Sequence, residues 1–386
     1  MIPDPVVVVA ARRTPIGAFE GALRGLAAPE LGGIAIRAAL TACGVPRGDV
    51  SELLMGCVLS AGLGQAPARQ AGMAGGLPDS VPATTVNKVC GSGMKSVMLA
   101  HDLLALGEAA IVVAGGMESM TNAPYLLDTL RGGQRIGHGR TIDHMVRDGL
   151  EDAYDTGRTM GSFAEDIASA LSITRQDQDS YAIRSVLRAR AAAADGHFAR
   201  ETVAAADLSV DEGPVQAKPD RIPSLKPAFR PGGTVTAASS ASISDGAAAL
   251  VLMRLSEAER RGLTPLAAIR GHATVAQAPA LFATAPIGAI ESLLARVGWS
   301  SRQVDLYEIN EAFALVPMAA MRRLDLPADK VNVHGGACVL GHPLGASGAR
   351  ILVTLLMALE THGLGRGVAS LCIGGGEATA MAVERL

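Results

Sequence analysis

Two distant parts of this chain repeat one another. Ser92-Gly93 opens an apolar helix pattern that leads to the strand pattern Ala110-Ile111-Val112-Val113-Ala114 and then to Gly115-Gly116-Met117-Glu118. Ser347-Gly348 opens a second helix that leads to a strand and then to Gly374-Gly375-Gly376-Glu377. A duplicated α/β unit is the simplest account, and a chance likeness between glycine-rich turns is the alternative. Duplication limits the architecture, because each copy has to bury the same helix and strand faces against a neighbouring layer. A length of 386 residues agrees with two packed halves, since one hydrophobic core rarely serves more than about 250–300 residues.

The patterns within each copy are those of an α/β protein. Val6 to Val9 is a β-branched run without polar alternation, which suits a strand buried on both faces of a parallel sheet. From Pro29, the positions Leu31, Ile34, Ala35, Ala38 and Ala42 make a helix stripe that ends at Gly44, a natural left-handed residue after a helix. Gly115 to Ser119 is expected to leave its strand as a glycine turn. The pattern resumes after Asp245-Gly246 with a strand over Ala247 to Met253. A helix from Pro286 follows, with the stripe Ile287, Ile290, Leu293, Leu294 and Val297.

Between these parts, from about 121 to 240, Gly, Arg, Asp and Pro rise and continuous apolar strands vanish. This reads as a large insertion with one good helix, 177–194, closed by Gly196, and a Pro-rich tract over 214–231. Stretches this long inside a compact protein are usually functional covers or binding surfaces. The apolar anchors Met160, Phe163 and Phe229 weigh against the other reading, a disordered linker. The expected division is an N-terminal half over 1–120 continued by 241–253, an inserted loop domain over 121–240, and a C-terminal half over 254–386.

Glycine makes up about one residue in nine and aromatics only 3%, so an aliphatic core with many close backbone approaches is expected. A net charge of −3 without a basic block excludes phosphate-backbone tracking, and the scarcity of aromatics excludes base stacking, so no nucleic-acid partner is expected. The five cysteines (Cys43, Cys57, Cys90, Cys338 and Cys372) form no C-x-x-C pair and are odd in number. Neither a zinc cage nor a disulfide framework follows, and a reducing, cytoplasmic setting without a metal is expected. No apolar run reaches the length of a membrane span and no leader pattern precedes Val6, so no membrane partner is expected either.

Chemistry is expected to start at Asn87-Lys88-Val89-Cys90-Gly91-Ser92-Gly93. Cys90 falls between a strand end, expected to be buried, and a helix marked by Met94, Val97, Met98, Leu104 and Ala105, with His101 at helical spacing among them. A thiol at a helix N-terminus meets the positive end of the macrodipole, which favours the thiolate. Alone, Cys90 reads equally as a small core residue. Three more reactive stretches are framed by glycine or small residues: Asn310-Glu311-Ala312-Phe313, Gly341-His342-Pro343-Leu344-Gly345, and Cys372-Ile373-Gly374-Gly375-Gly376. By the repeat, each comes from a strand end or the loop after it, where sites assemble in α/β sheets. A cysteine, a histidine and a second cysteine beside free backbone N–H groups supply a nucleophile, a base and an oxyanion cradle.

Taken together, these four stretches closely resemble the thiolase family. The likeness runs in order through Arg13-Thr14-Pro15-Ile16-Gly17, Gly64-Gln65-Ala66-Pro67-Ala68-Arg69-Gln70 and Gly115-Gly116-Met117-Glu118-Ser119 to Cys372-Ile373-Gly374-Gly375-Gly376. The inserted region, with Gly149-Leu150-Glu151-Asp152-Ala153-Tyr154 and Met160-Gly161-Ser162-Phe163-Ala164-Glu165, is most similar to the short-chain acetyl-CoA acetyltransferases. The resemblance implies the thiolase fold: duplicated α/β halves in a five-layered α-β-α-β-α arrangement, with the insertion as a loop domain for coenzyme A. It implies reversible condensation of two acetyl-CoA to acetoacetyl-CoA and CoA, with a broader-chain 3-ketoacyl-CoA thiolase as the alternative. Coenzyme A thioesters enter as substrates, without a further cofactor, in a homodimer or homotetramer.

By the same resemblance, Cys90 is the acylated nucleophile, His342 the base that activates it, and Cys372 the acid/base at the α-carbon or the leaving thiolate. Asn310, with a water shared with His342, is one oxyanion site, and the N–H groups of Cys90 and Gly374 are the other. Met160, Phe229, Ala237, Ala241, Phe282 and Phe313 fall at substrate and coenzyme positions. Thr159 stands where bacterial biosynthetic members often have histidine, and Ala241 where many have a coenzyme-contacting serine. The condensing β-ketoacyl synthases share the fold but carry a second histidine where this chain has Asn310, and they need no counterpart of Cys372. A non-catalytic acyl-CoA-binding protein is the reading from another class, and the intact set of four side chains argues against it.

Overall fold

The computed structural model describes residues 4–386. Its N-terminal half runs β1 (Val6–Arg13), α1 (Ala28–Cys43), β2 (Glu52–Gly56), α2 (Pro67–Gly75), β3 (Ala83–Val86), α3 (Ser92–Leu106) and β4 (Ile111–Ser119). The inserted stretch contributes α4 (Met160–Ala170) and α5 (Arg175–Ala194), after which β5 (Ser244–Arg254) returns to the first half. The C-terminal half repeats the scheme as β6 (Ala267–Ala276), α6 (Ala285–Val297), β7 (Leu306–Ile309), α7 (Leu315–Leu324), α8 (Leu344–Thr361), β8 (Arg366–Ile373) and β9 (Glu377–Glu384).

All of these strands belong to one ten-stranded sheet in the order β7-β8-β9-β6-β1-β5-β4-β2-β3, with the two-residue strand Gly17–Ala18 paired to β5. The two halves meet at a narrow seam where only Val7 and Val8 pair with Ala268 and Ala267. On either side of that seam the pairing scheme is the same. β2 and β4 are parallel, and so are β7 and β8, while β4–β5, β5–β1, β8–β9 and β9–β6 are antiparallel. Even the short β3 has a counterpart, a single parallel bridge from Tyr307 to Val331.

The buried side chains sort into layers. One apolar cluster joins α1 and α2 to the outer face of the first half-sheet, through Leu31, Ala35, Ile36, Ala71, Val7, Val113 and Val251. A second joins the inner faces of both half-sheets to α3 and α8, through Val97, Met98, Ile351, Leu355, Val112, Leu250, Leu371 and Met381. A third places α6 and α7 on the outer face of the second half-sheet, through Ile290, Leu293, Val316, Tyr307 and Ala380. The result is the expected α-β-α-β-α stack, and α3 and α8, the two repeat helices, form its middle layer.

Several local expectations are corrected. β1 is buried as expected but lies between two antiparallel partners, β5 and β6, because doubly buried strands read alike in either kind of sheet. Gly115 to Ser119 is no turn and continues β4, every residue buried. Ala42 and Ala105 face solvent, since each helix buries a narrower stripe than its alanines suggest. Two helical stretches, Pro279–Val297 and Leu344–Thr361, are long and apolar enough to cross a membrane by length and composition. Of the second, 89% of the window is buried, as its place between two sheets requires.

The inserted stretch is tied down by buried charge. Arg13, fully buried, donates to Glu201 at 2.7 Å and to both oxygens of Asp211 at 2.7 and 2.9 Å. The N–H of Ile16 also donates to Asp211 at 2.8 Å. α5 starts two residues before the expected position because Thr174 and Asp177 form a reciprocal capping box.

Candidate active site

Cys90 sits in the tight connection from β3 to α3. β3 is an edge strand whose residues are only partly buried, contrary to the buried strand expected, and it is the turn itself that is firmly held. The Asn87 side chain accepts the N–H of Val89 at 3.0 Å, and the Ser92 hydroxyl accepts the N–H of Lys88 at 2.8 Å while donating to the Val89 carbonyl at 2.6 Å. These bonds hold Val89 at φ +46°, a conformation that a β-branched residue adopts only under constraint. Gly91 follows because a Cβ there would run into the side chain of Ile373.

The other side chains arrive from the C-terminal half. Asn310 follows β7, where its N–H donates to the Ser370 carbonyl at 2.9 Å. Cys372 is the penultimate residue of β8. His342 differs from expectation: it comes from the connection between a short helix, Ala337–Leu340, and α8, not from a strand end. Asn310 and Cys372 are each 1% exposed and His342 is 7% exposed, whereas Cys90 is only partly covered. The backbone N–H of Gly374, just past β8, favours the Cys90 thiolate, and Cys90 lies close enough to Cys372 to raise the cost of ionising it.

The environment sets the protonation states. Burial pushes the Cys90 thiol up to about 11, against the opposing pull of the Gly374 and Cys90 N–H groups, so the expected thiolate is corrected to a thiol at neutral pH. Burial first, and the Arg350 guanidinium second, lower His342 to about 3. Cys372 is pushed well above the ordinary thiol range by burial and by Cys90.

His342 is oriented by a residue that the sequence reading left without a role. Its Nδ1 lies 2.5 Å from the Ser347 hydroxyl, which donates to the Pro343 carbonyl at 2.9 Å. With its single proton so placed, that hydroxyl accepts from Nδ1–H, which leaves the lone pair on Nε2. Nε2 is buried and has no hydrogen-bond partner. The amide nitrogen of Asn310 lies 3.5 Å from Nδ1.

Four buried charged residues frame this group and were also missed. Glu118, at the end of β4, accepts the N–H groups of Val58, Leu59 and Gly345 at 3.1, 3.0 and 2.8 Å, tying the His342 connection to the first half-sheet. Burial raises it to about 7. Glu311 accepts from Tyr181, Ser185, Asn332 and the N–H of Cys338 at 2.8–3.1 Å, which holds the segment carrying Asn310. Arg350 donates to the Asn310 side-chain oxygen at 3.4 Å and lies 3.9 Å from Glu308. The only signal for these residues was an acidic or basic side chain inside an otherwise apolar or glycine-rich run.

Of the expected substrate residues, Phe282 and Phe313 are buried in the same apolar cluster as Cys372, with Met160 and Phe229 packed against it. Phe313 meets Phe229 and Phe282 edge-on, with ring centroids 5.9 and 6.2 Å apart. The Met160 sulfur lies beside Gly374. The N–H of Ala241 donates to the Ala312 carbonyl at 3.0 Å, so Ala241 borders this group through the backbone. Ala237 is not part of it. It is exposed and lines a separate cavity of about 640 Å³ together with Ile16, Phe19, Lys218, Arg221 and Ser242. The arrangement can acylate a thiol: a neutral imidazole with a free lone pair, two thiols, and backbone donors aimed at one of the sulfurs.

Comparison with known proteins agrees. The thiolase N-terminal domain family matches residues 6–256 and the thiolase C-terminal domain family residues 263–385. Acetyl-CoA acetyltransferase of Cupriavidus necator is 46% identical, covering 98% of this chain and 99% of the relative. The cytosolic acetyl-CoA acetyltransferase of Mus musculus is 47% identical over 99% of this chain and 98% of its own. Among solved structures, Acat5 thiolase from Ascaris suum in complex with coenzyme A superposes with a TM-score of 0.95 at 40% identity, covering 99% and 100% of the two chains. Two family domains spanning nearly the whole length, and a layered fold shared at that level, place this chain in the thiolase family.

Proposed function

We propose that this chain is an acetyl-CoA C-acetyltransferase that interconverts two acetyl-CoA with acetoacetyl-CoA and CoA. His342 Nε2 takes the Cys90 proton as the sulfur attacks the thioester carbonyl, and Cys372 gives its own proton to the departing CoA thiolate, which leaves Cys372 as a thiolate. A second acetyl-CoA then loses an α-proton to the Cys372 thiolate. Its enolate attacks the acyl group on Cys90, and the Cys90 sulfur departs and regains its proton from His342. The N–H groups of Cys90 and Gly374 stabilise one oxyanion, and Asn310, through a water shared with His342, the other. Losing one such donor typically costs about 2.7–4 kcal/mol of barrier. The balance closes with side chains and coenzyme A thioesters, and no further cofactor enters.

The observation that carries the reading is the buried, unpartnered Nε2 of His342 together with two thiols, Cys90 and Cys372, that lie close enough for Cys90 to oppose ionisation of Cys372. The names of the relatives support the acetyl-CoA specificity. Residues 121–240 act as the coenzyme-binding cover, and Lys218 and Arg221, on the wall of the cavity that Ala237 lines, suit the coenzyme's phosphates. Ala241 gives up one hydroxyl contact, and Thr159, which precedes α4, puts a hydroxyl where related enzymes often have an imidazole. The chain works in the cytoplasm as a homodimer or homotetramer, in fatty acid or ketone body metabolism.

Bulky Met160, Phe282 and Phe313 near Cys372 argue for short acyl chains. The kcat/KM for CoA-dependent cleavage of acetoacetyl-CoA is expected to exceed that for a six-carbon 3-ketoacyl-CoA by at least about tenfold, the cost of roughly 1.4 kcal/mol of misfit. Equal or better use of the longer substrate would replace this reading by a broad-range 3-ketoacyl-CoA thiolase.

A further inference from the structure

Away from Cys90, three histidines from distant parts of the chain converge. His197 lies just past α5, His334 in the connection between α7 and α8, and His362 at the end of α8. Ring centroids are 4.7 Å apart for His197 and His334, 5.3 Å for His334 and His362, and 5.7 Å for His197 and His362. One ring nitrogen from each lies within 4.8 Å of one from each of the others. His334 is only 3% exposed, and the Nδ1 atoms of His334 and His197 are buried without a hydrogen-bond partner.

Packing alone does not account for this. Buried polar nitrogens are normally hydrogen-bonded, and each one left alone is costly. A second cluster differs in holding a carboxylate: His101 and His272 share Asp102, at 3.1 and 2.9 Å, although Nε2 of His101 is also buried without a partner. Among the described residues, no carboxylate plays that part for His197, His334 and His362. Instead, the Nε2 atoms of His334 and His362 face one another at 3.2 Å. Two ligands of a tetrahedral ion with metal–nitrogen bonds of 2.0–2.1 Å lie about 3.3–3.4 Å apart, so this pair already stands at chelating distance. His362 is exposed, so its side chain is free to turn toward the other two rings.

We propose that His197, His334 and His362 bind one divalent transition-metal ion of the zinc type. Three neutral imidazoles suit Zn²⁺, Co²⁺, Ni²⁺ or Cu²⁺ and not Mg²⁺ or Ca²⁺, which demand oxygen ligands. All three histidines line a cavity of about 400 Å³ that Asp195 and Asp329 also line. Arg188 lines it too, but its guanidinium is engaged with the carbonyls of Ala328, Val331 and Asn332. The lack of a C-x-x-C pair argues only against a cysteine cage, because histidines so far apart in sequence are brought together by the fold alone. An ion here staples the end of α5, in the inserted region, to the end of the central helix α8. It stabilises the native state by mass action and leaves the chemistry at Cys90 untouched.

The test uses the full chain, freed of metal with a chelator and then titrated with Zn²⁺ and Co²⁺. Equilibrium dialysis should find one ion per chain, and thermal unfolding should shift to higher temperature with Zn²⁺. Bound Co²⁺ should show visible d–d bands without the near-ultraviolet thiolate charge-transfer band that binding at Cys90 and Cys372 would give. In His362→Ala, an exposed position, affinity should fall by more than about tenfold, the least expected for a lost ligand when supporting residues alone cost 10–100-fold. The Zn²⁺-dependent thermal shift should vanish and acetoacetyl-CoA cleavage should be unchanged. His197→Asn should behave alike. Absence of stoichiometric binding, binding unaltered by His362→Ala, or a thiolate band as the only cobalt signal would overturn the proposal.

Discussion

At Cys90 two effects of opposite sign meet. The end of α3 and the Gly374 N–H favour the thiolate, yet a helix terminus contributes about 0.3–1 kcal/mol, less than one pKa unit. Desolvation shifts buried groups by up to 3–5 units, and at Cys90 it wins, leaving the thiol at about 11. The sequence showed which residue types stand near turns, but not how much water reaches them, so the nucleophile was legible and its charge state was not. For the same reason Cys372 was legible as a second thiol, while its burial at 1% exposure came only with the fold. If Cys372 is the α-proton acceptor, Cys372→Ala should still acquire an acetyl group from acetyl-CoA. It should lose condensation together with exchange of the acetyl-CoA methyl protons into deuterated water. Exchange persisting at the parent rate would move that role to His342.

At the scale of elements, glycine was the hardest residue to interpret. Gly375 and Gly376 turn the chain between β8 and β9 with φ of +91° and +89°, as the repeat suggested. Gly115 and Gly116 sit in a regular strand, where a Cβ on Gly115 would strike the backbone of Ala248 and one on Gly116 the carbonyl of Gly345. Both roles read as Gly-Gly before a glutamate, so the turn expected after Ala114 had the right residues for a different reason. The close approach lets the start of α8, which follows His342, press against β4 and reach Glu118. Gly116→Ala is therefore expected to destabilise the protein by about 1–3 kcal/mol, the usual cost of overpacking, and to lower turnover by displacing His342. Gly132→Ala, where an added methyl meets nothing within 4 Å, should change neither. Denaturant unfolding and steady-state rates of the two variants compare them directly, and equal behaviour would remove the packing argument.

For the whole molecule, the duplication was legible because both copies bury the same patterns, and the five layers follow from placing two such sheets back to back over α3 and α8. What no pattern announced was the buried charge between the layers, and this shapes the dependence of stability on pH. His342 and His334 have folded values lowered to about 3 and about 4. Their contribution is present above the unfolded value of about 6.5 and is lost as pH falls toward the folded values. Glu118 and Glu308 are raised to about 7 and about 8 by burial. Their contribution is complete below the unfolded value of about 4.3 and is lost as pH rises through 7 and 8. Glu201 and Asp245, also raised by burial, act in the same direction as the glutamates. Between about pH 4.5 and 6.5 the two sets oppose one another, at about 1.4 kcal/mol per pH unit for each unshared proton. The unfolding temperature should therefore be highest near pH 5–6 and decline on both sides. A steady rise from pH 5 to 8 would mean that the buried glutamates are ionised throughout.

The central claim is that acyl transfer passes through Cys90. Rapid mixing with acetyl-CoA, an acid quench and mass spectrometry of the peptides locate the intermediate. The account predicts one acetyl group per chain, on Cys90 alone, released when CoA is added before the quench and absent in Cys90→Ser. An acetyl group on Cys372 or on any other residue, or its persistence in Cys90→Ser, would contradict it.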